Sequence, residues 1–364
     1  MAVSVPGVYV EELLEAGVSV GSGPTAVPVF LADLGSGAAS VVRLNNWLEF
    51  AERGEEALAS VTGLVLRGYF ANGGGYCYLA NTTGRTPAQA LAGLEAYPDI
   101  TMLLAPGLWD QGAQQAGEWA GALVRYVAAH KAMAILHADR DQDAAAADGA
   151  VAAWDLNEFA AVYHPWVQQP TAGGETVAVP PVGVVAGTWV RCDAARGVWK
   201  APANVALQGV SGPTLKVSDT DQSEHPSVNF IREFPGRGTL VWGARTAAAP
   251  ATAGDWRYIP VRRLFNVIQG DIQTALKTVV FEPNQPATWE AVRAAVDTYL
   301  YKLWQQGALM GHKPAEAYFI QVGKDLTMTD EDIKNGTLVM KIGVAALRPA
   351  EFITLEFTQA VATG

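Results

Sequence analysis

Asp139, Asp141 and Asp143 have the spacing of the first ligands of a calcium loop, in which alternate carboxylates wrap one ion. That loop also needs a glycine at 144 and a bidentate glutamate at 150, and alanines stand at both. The run is therefore expected as a solvated acidic turn. His130, His137, His164, His225 and His312 never fall into HExxH or another ligand spacing. Gly73-Gly74-Gly75 follows a helical stretch instead of opening one, so it reads as a helix stop and not as a dinucleotide loop. No GxxxxGK run followed by Ser or Thr is present to cradle a phosphate. Cys77 and Cys192 are far apart and form no CxxC, which implies neither a disulfide framework nor a zinc site. No cofactor, metal or catalytic residue is expected, and the chain reads as a non-enzyme.

Composition narrows the partners. The chain has 364 residues, enough for two domains of ordinary size. Charged residues make up 17%, below the roughly 25% of typical soluble domains. A surface with few charges, together with 11 Trp and 11 Tyr, suits burial against other subunits. Twenty-five basic residues against 36 acidic ones give a net charge of −11 without a basic stripe, so no nucleic-acid partner is expected. Met1 to Gly7 lacks the basic and apolar regions of a signal peptide. Val177 to Val190 is interrupted by Pro180-Pro181 and glycines, so no membrane insertion is expected.

The elements are legible from period and punctuation. Residues 1–20 read as an extended arm in which Val3, Val5, Val8, Tyr9 and Val10 form strand-like runs around Pro6-Gly7. From residue 25 to 200, short apolar strands at 27–31, 76–80, 100–104, 134–136 and 160–163 alternate with helical stretches, which predicts an open α/β sheet with helices on its faces. Asn46 is placed to cap a helix starting at Trp47. Residues 168–182 read as a loop and 202–226 as an interdomain linker, both rich in Pro, Gly, Ser and Thr. Beyond them come strands at 229–231 and 239–242 and a helix after Pro260. A further helix after Pro286 has Trp289, Val292, Val296, Tyr299, Leu300 and Leu303 on one face. Strands follow at 318–320 and 338–344. Ile353, Leu355 and Phe357 alternate in a last strand detached by Arg348-Pro349. A detached strand at each end is either an edge of this subunit or material donated to neighbours. Phe234-Pro235-Gly236-Arg237-Gly238 reads as a tight connection between strands, or else as a loop presenting Arg237 to another subunit.

Several stretches resemble contractile tail sheath proteins: PGVYVEE at 6–12, FANGGGYCY at 70–78, AAVYHPW at 160–166 and VPPVGVVAGTWVRCDAARGVWKAP at 179–202. The resemblance is strongest in NFIREFPGRGTLVWGART at 229–246, WRYIPVRRLF at 256–265, VFEPN at 280–284, LWQQGALMG at 303–311 and LRPAEFI at 347–353. It implies an α/β (α+β overall) chain with a sandwich-like outer domain at 21–205, a C-terminal α/β core domain at 206–346 facing a tube, and linking arms at 1–20 and 347–364. It implies a subunit of stacked rings in a helical sheath around an inner tube protein, with baseplate and terminal cap proteins at its ends. The arms would exchange strands between copies, and the short segment Asp330-Glu331-Asp332-Ile333-Lys334 would meet the tube, although carboxylates there are also good helix capping. Such a subunit is made in the bacterial cytoplasm and built into a phage tail or a released injection particle. The rival readings are an α/β enzyme of unknown specificity and a non-contractile shell subunit.

Overall fold

The structure is a computed structural model and describes residues 18–171 and 173–351. The arm residues Val3 to Val10 and Ile353 to Phe357 lie outside these. The chain forms two compact units, one from residues 23–269 and 346–351, the other from 18–22 and 270–345.

In the larger unit the chain runs through β1 (Pro28–Ala32), β2 (Val41–Leu44), α1 (Trp47–Ala51), α2 (Glu55–Ala59), α3 (Val61–Ala71), β3 (Cys77–Asn81) and α4 (Pro87–Ala92). It continues as β4 (Met102–Leu104), α5 (Ala113–His130), β5 (Met133–His137), α6 (Ala144–Ala153), β6 (Ala160–His164), β7 (Val167–Pro170), β8 (Thr176–Val179) and α7 (Val182–Arg196). Then come β9 (Val205–Ala206), β10 (Gly212–Pro213), α8 (Asp219–Glu224), β11 (Val228–Phe234), β12 (Gly238–Trp242) and α9 (Ile259–Leu276), which runs across the division into the second unit.

Nine strands form one sheet in the order β2-β3-β1-β4-β5-β6-β11-β12-β9, and the block from β3 to β11 is parallel. Successive side chains of a strand face opposite sides, and the two sides are covered differently. Val29, Leu31, Leu103, Ala134, Leu136, Ala160 and Val162 pack under α4, α5 and α6. Their neighbours Phe30, Met102, Leu104, Met133, Ile135, Ala161 and Tyr163 pack under α3 and α7. Burial on both faces is what makes these strands read as unbroken apolar runs. Asn46 caps α1 by accepting from the Glu49 N–H at 3.1 Å.

Three stretches differ from expectation. The loop expected at 168–182 contains the β7–β8 hairpin, extended by β10. Residues 182–196, left without a helix, form α7. It is apolar almost all round and carries Gly183 and Gly187, so it shows no amphipathic stripe. Those glycines serve close packing: a Cβ at Gly183 would collide with the Val65 carbonyl, and one at Gly187 with that of Tyr69. Finally, 202–226 does not separate two domains. Val228 to Phe230 pair with Val162 to His164, so β11 and β12 extend the first sheet and the division falls near residue 270.

The smaller unit holds α10 (Pro286–Gln305), α11 (Pro314–Ala317), β13 (Tyr318–Val322), α12 (Asp330–Lys334) and β14 (Met340–Val344). The six residues expected on the inner face of α10 are all buried. Tyr299 donates to Asp271 of α9 at 2.7 Å, and Trp289 packs with Val322 and Met328.

Candidate functional site

Sites for chemistry would be expected at the carboxyl ends of the parallel strands. A cleft of about 780 Å³ lies there, lined by Asp33, Thr62, Thr83, Arg85, Asp110 and Glu118 among others. Its most engaged carboxylate is committed to the local turn: Asp33 accepts from the Thr83 hydroxyl and from the Gly35 N–H, and both bonds hold its pKa below the usual range. Asp139 accepts from the Arg140 N–H and Asp143 caps α6 through the Ala146 N–H, so the calcium-like run is turn and cap structure. Among the described residues no three His, Cys, Asp or Glu side chains are placed to hold a metal ion.

Two histidines end adjacent strands in the interior. His137 sets Nδ1 3.0 Å from the Ala138 carbonyl and Nε2 3.2 Å from that of Pro106. His164 is fully buried, neither ring nitrogen has a partner, and burial lowers its pKa to about 4. Two tryptophans close this region, Trp109 donating to the His137 carbonyl and Trp166 to that of Ala138. Cys77 and Cys192 are buried and unpaired, and burial pushes the Cys77 thiol up to about 12. These groups are placed to fill a core.

The places suited to binding other chains lie at edges and turns. β13 and β14 pair antiparallel from Tyr318↔Val344 to Val322↔Met340 and form a two-stranded sheet, so among the described residues each has an outer edge without a sheet partner. Phe319 lays its exposed ring across Gly343, where a Cβ would collide with it. Isolated two-stranded sheets are marginal in water, and further strands add backbone hydrogen bonds.

The last described residue is held by a clamp that the sequence reading did not find. Glu351 accepts from Arg245 Nε at 2.8 Å and from the Tyr258 hydroxyl at 3.1 Å, and Arg348 pairs with Asp255. Burial and the Glu351 carboxylate raise the Tyr258 pKa. Buried Asn229 positions Arg245, donating to its carbonyl and accepting from its N–H, both at 2.7 Å. Gly243 leaves room for that amide. The clue was a buried-position asparagine in an otherwise apolar strand, Val228-Asn229-Phe230-Ile231.

Arg237 sits in the β11–β12 connection, where its N–H donates to the Phe234 carbonyl and Gly236 and Gly238 take positive φ. Its exposed guanidinium donates to Asn204 Oδ1 at 2.5 Å. The acidic segment 330–334 is α12, opened by a reciprocal cap in which the Asp332 carboxylate accepts from the Thr329 N–H and hydroxyl. Those bonds hold its pKa low. Asp330 pairs with Lys324 at 2.7 Å, while Glu331 and Lys334 are exposed.

Comparison with known proteins agrees along the whole chain. Residues 252–360 match the phage tail sheath C-terminal domain family. The tail sheath protein of Vibrio phage KVP40 is 29% identical over 185 residues, which is 49% of this chain but 26% of that protein. This chain thus matches only about a quarter of that longer relative. The sheath complex of the PVC extracellular contractile injection system, solved in its contracted state, superposes with a TM-score of 0.81 at 40% identity over 99% of both chains. The contracted helical sheath of the anti-feeding prophage gives 0.82 at 40% identity, covering 99% of this chain and 100% of that one. With end-to-end agreement in sequence and fold, the chain belongs to the contractile sheath protein family.

Proposed function

We propose that this chain is a structural subunit of a contractile sheath, which assembles around an inner tube and shortens to drive the tube through a target envelope. The observation that carries the reading is the match from end to end with sheath subunits at 40% identity. It acts as a scaffold and not as a catalyst, and its main partner is itself, in stacked rings. The inner tube protein and the baseplate and cap proteins complete the particle, a phage tail or a released injection device built in the bacterial cytoplasm.

The outer edges of β13 and β14, which have no sheet partner among the described residues, support the accompanying proposal for the arms. Val3, Val5, Val8, Tyr9 and Val10 of one copy and Ile353, Leu355 and Phe357 of another would add strands to that sheet. Backbone pairing tolerates rotation of the bodies it connects, so such a mesh can change pitch while staying joined. Arg237 is proposed as an intersubunit contact, its exposure supporting this. The proposed tube contact is Asp330, Glu331, Asp332 and Lys334. Since Asp332 is spent on capping and Asp330 on Lys324, Glu331 and Lys334 would carry most of it.

Negative-stain electron microscopy of the purified chain tests the reading. Long hollow cylinders with a helical surface are expected, since the contracted form needs no tube. A folded preparation containing only small discrete particles would contradict self-assembly.

A further inference from the structure

Phe281 lies between α9 and α10, its side chain 101% exposed and its φ at +79°. A bulky non-glycine residue is a genuine outlier at positive φ, because its Cβ crowds the backbone. No burial among the described residues offsets that strain. The loop around it is nevertheless built: Glu282 N–H donates to the Val279 carbonyl at 3.0 Å, and Thr288 Oγ1 to that of Pro283 at 2.7 Å. Asn284 is fixed on both sides, accepting from Trp289 Nε1 at 2.6 Å and donating to the Thr337 carbonyl at 3.1 Å. Val280, next to Phe281, is 58% exposed. Of nine exposed large hydrophobic side chains among the described residues, six belong to the 270–345 unit, far the smaller of the two.

We propose that Phe281 is an intersubunit anchor, held outward by its backbone so that it inserts into a second copy of this chain when the sheath assembles. The inference rests on the sheath reading above and adds to it the residue that seats the copies. An aromatic ring on a preorganised loop is the kind of side chain that dominates an interface, since little conformational freedom remains to be lost on docking. A second copy is the occupant because the anti-feeding prophage relative, 40% identical, is solved as a helical sheath, in which each subunit meets others of its kind. Strain at an exposed site, with no benefit to the isolated fold, points to a state in which the residue is covered.

The test uses the full chain, with Phe281→Ala and Phe281→Gly, in a sedimentation assay over a concentration series. Both variants should need at least roughly tenfold more protein to pellet as cylinders, from the loss of one buried phenyl ring per contact. Phe281→Gly should at the same time melt no lower than the wild type as a monomer, because glycine takes this φ without strain. That opposition, weaker assembly with an intact or firmer fold, is one a merely structural residue would not produce. Assembly of both variants at the wild-type concentration, with wild-type cylinders present, overturns the anchor and leaves the sheath reading standing. A wild type that forms no cylinders removes the sheath reading and the anchor with it.

Discussion

Arg263 and Asp193 form an ion pair in the interior of the larger unit, and removing either charge should be among the costliest single changes to this chain. Nη1 and Nη2 of Arg263 donate to the two carboxylate oxygens at 2.9 and 2.6 Å, with both side chains at most 5% exposed. Thr25 adds two further bonds: Nη2 also donates to the Thr25 carbonyl at 3.1 Å, and the Thr25 hydroxyl to Asp193 at 2.6 Å. The guanidinium lies 4.6 Å from the centre of the Trp189 ring. Arg263→Met or Asp193→Leu leaves the other charge buried and unpaired, which costs about 3–5 kcal/mol. In a unit of this size that corresponds to a melting temperature lower by roughly 6–20 °C. The double variant Arg263→Met/Asp193→Leu removes both desolvation costs together and should recover most of the loss. Thermal unfolding followed by circular dichroism, completed as a double-mutant cycle, reads the coupling directly. If the double variant is as unstable as the sum of the single ones, the pair is not the interaction described here.

Three further outcomes follow from the same interior and from the arms. His164 is held neutral, with its pKa lowered from 6.5 to about 4 chiefly by burial, so the unfolded chain takes up its proton first as pH falls. The contribution is complete above pH 6.5 and declines towards pH 4, by about 2 kcal/mol at pH 5; urea unfolding at pH 7 and 5 should show a steeper loss for the wild type than for His164→Phe, and equal losses would refute the assignment. Gly183→Ala forces α3 and α7 apart at the Val65 carbonyl and should cost at least about 1–3 kcal/mol in the same assay, whereas Gly149→Ala, which meets open space, should be tolerated. Deleting residues 1–12, or changing Leu355→Pro, should leave a folded monomer that forms no cylinders in electron micrographs; intact cylinders from either would contradict the strand-exchange proposal.

Much of both units is legible in the sequence because its signals are local. Apolar runs bounded by glycine and asparagine give the strands, Asn46 marks the start of α1, and the three-and-four stepping from Trp289 to Leu303 gives the buried face of α10. Where local signals mislead, a partner distant in sequence decides. The α7 segment looks like a broken, glycine-rich stretch until α3 is laid against it and the glycines become points of contact. The division near residue 270 depends on β11 finding β6, 67 residues away at Asn229 and Val162. Adjacent arginines at 262 and 263 in the apolar run Ile259 to Ile268 did carry a signal, since charges at core positions call for buried partners; Asp193 is 70 residues distant and could not be named. Nothing local in Val280-Phe281 marks a side chain turned outwards; its backbone dihedral and exposure do.

The contrast between interior and edges bears on how a subunit of the proposed kind could work. If copies change their arrangement while each stays folded, deformation must cost more within a subunit than between subunits. The larger unit satisfies the first half of that condition. Its sheet is buried on both faces, two of its helices touch through glycines with no room to slide apart cheaply, and a doubly bonded ion pair joins α7 to the start of α9. On the strand-exchange proposal, the second half rests on β13 and β14, whose outer edges have no sheet partner among the described residues and offer hydrogen bonds that depend on strand direction and spacing and very little on side chains. A donated strand held that way keeps its partners while the body it belongs to turns. Side-chain contacts such as the one proposed for Phe281 do not share that tolerance, so they are where one packing arrangement can be exchanged for another. On this division of roles, changes in the interior should lower the stability of each subunit alike in any assembled state. Changes at Phe281 should instead raise the concentration at which subunits assemble, and on the strand-exchange proposal the β13–β14 sheet should decide whether any assembly exists at all.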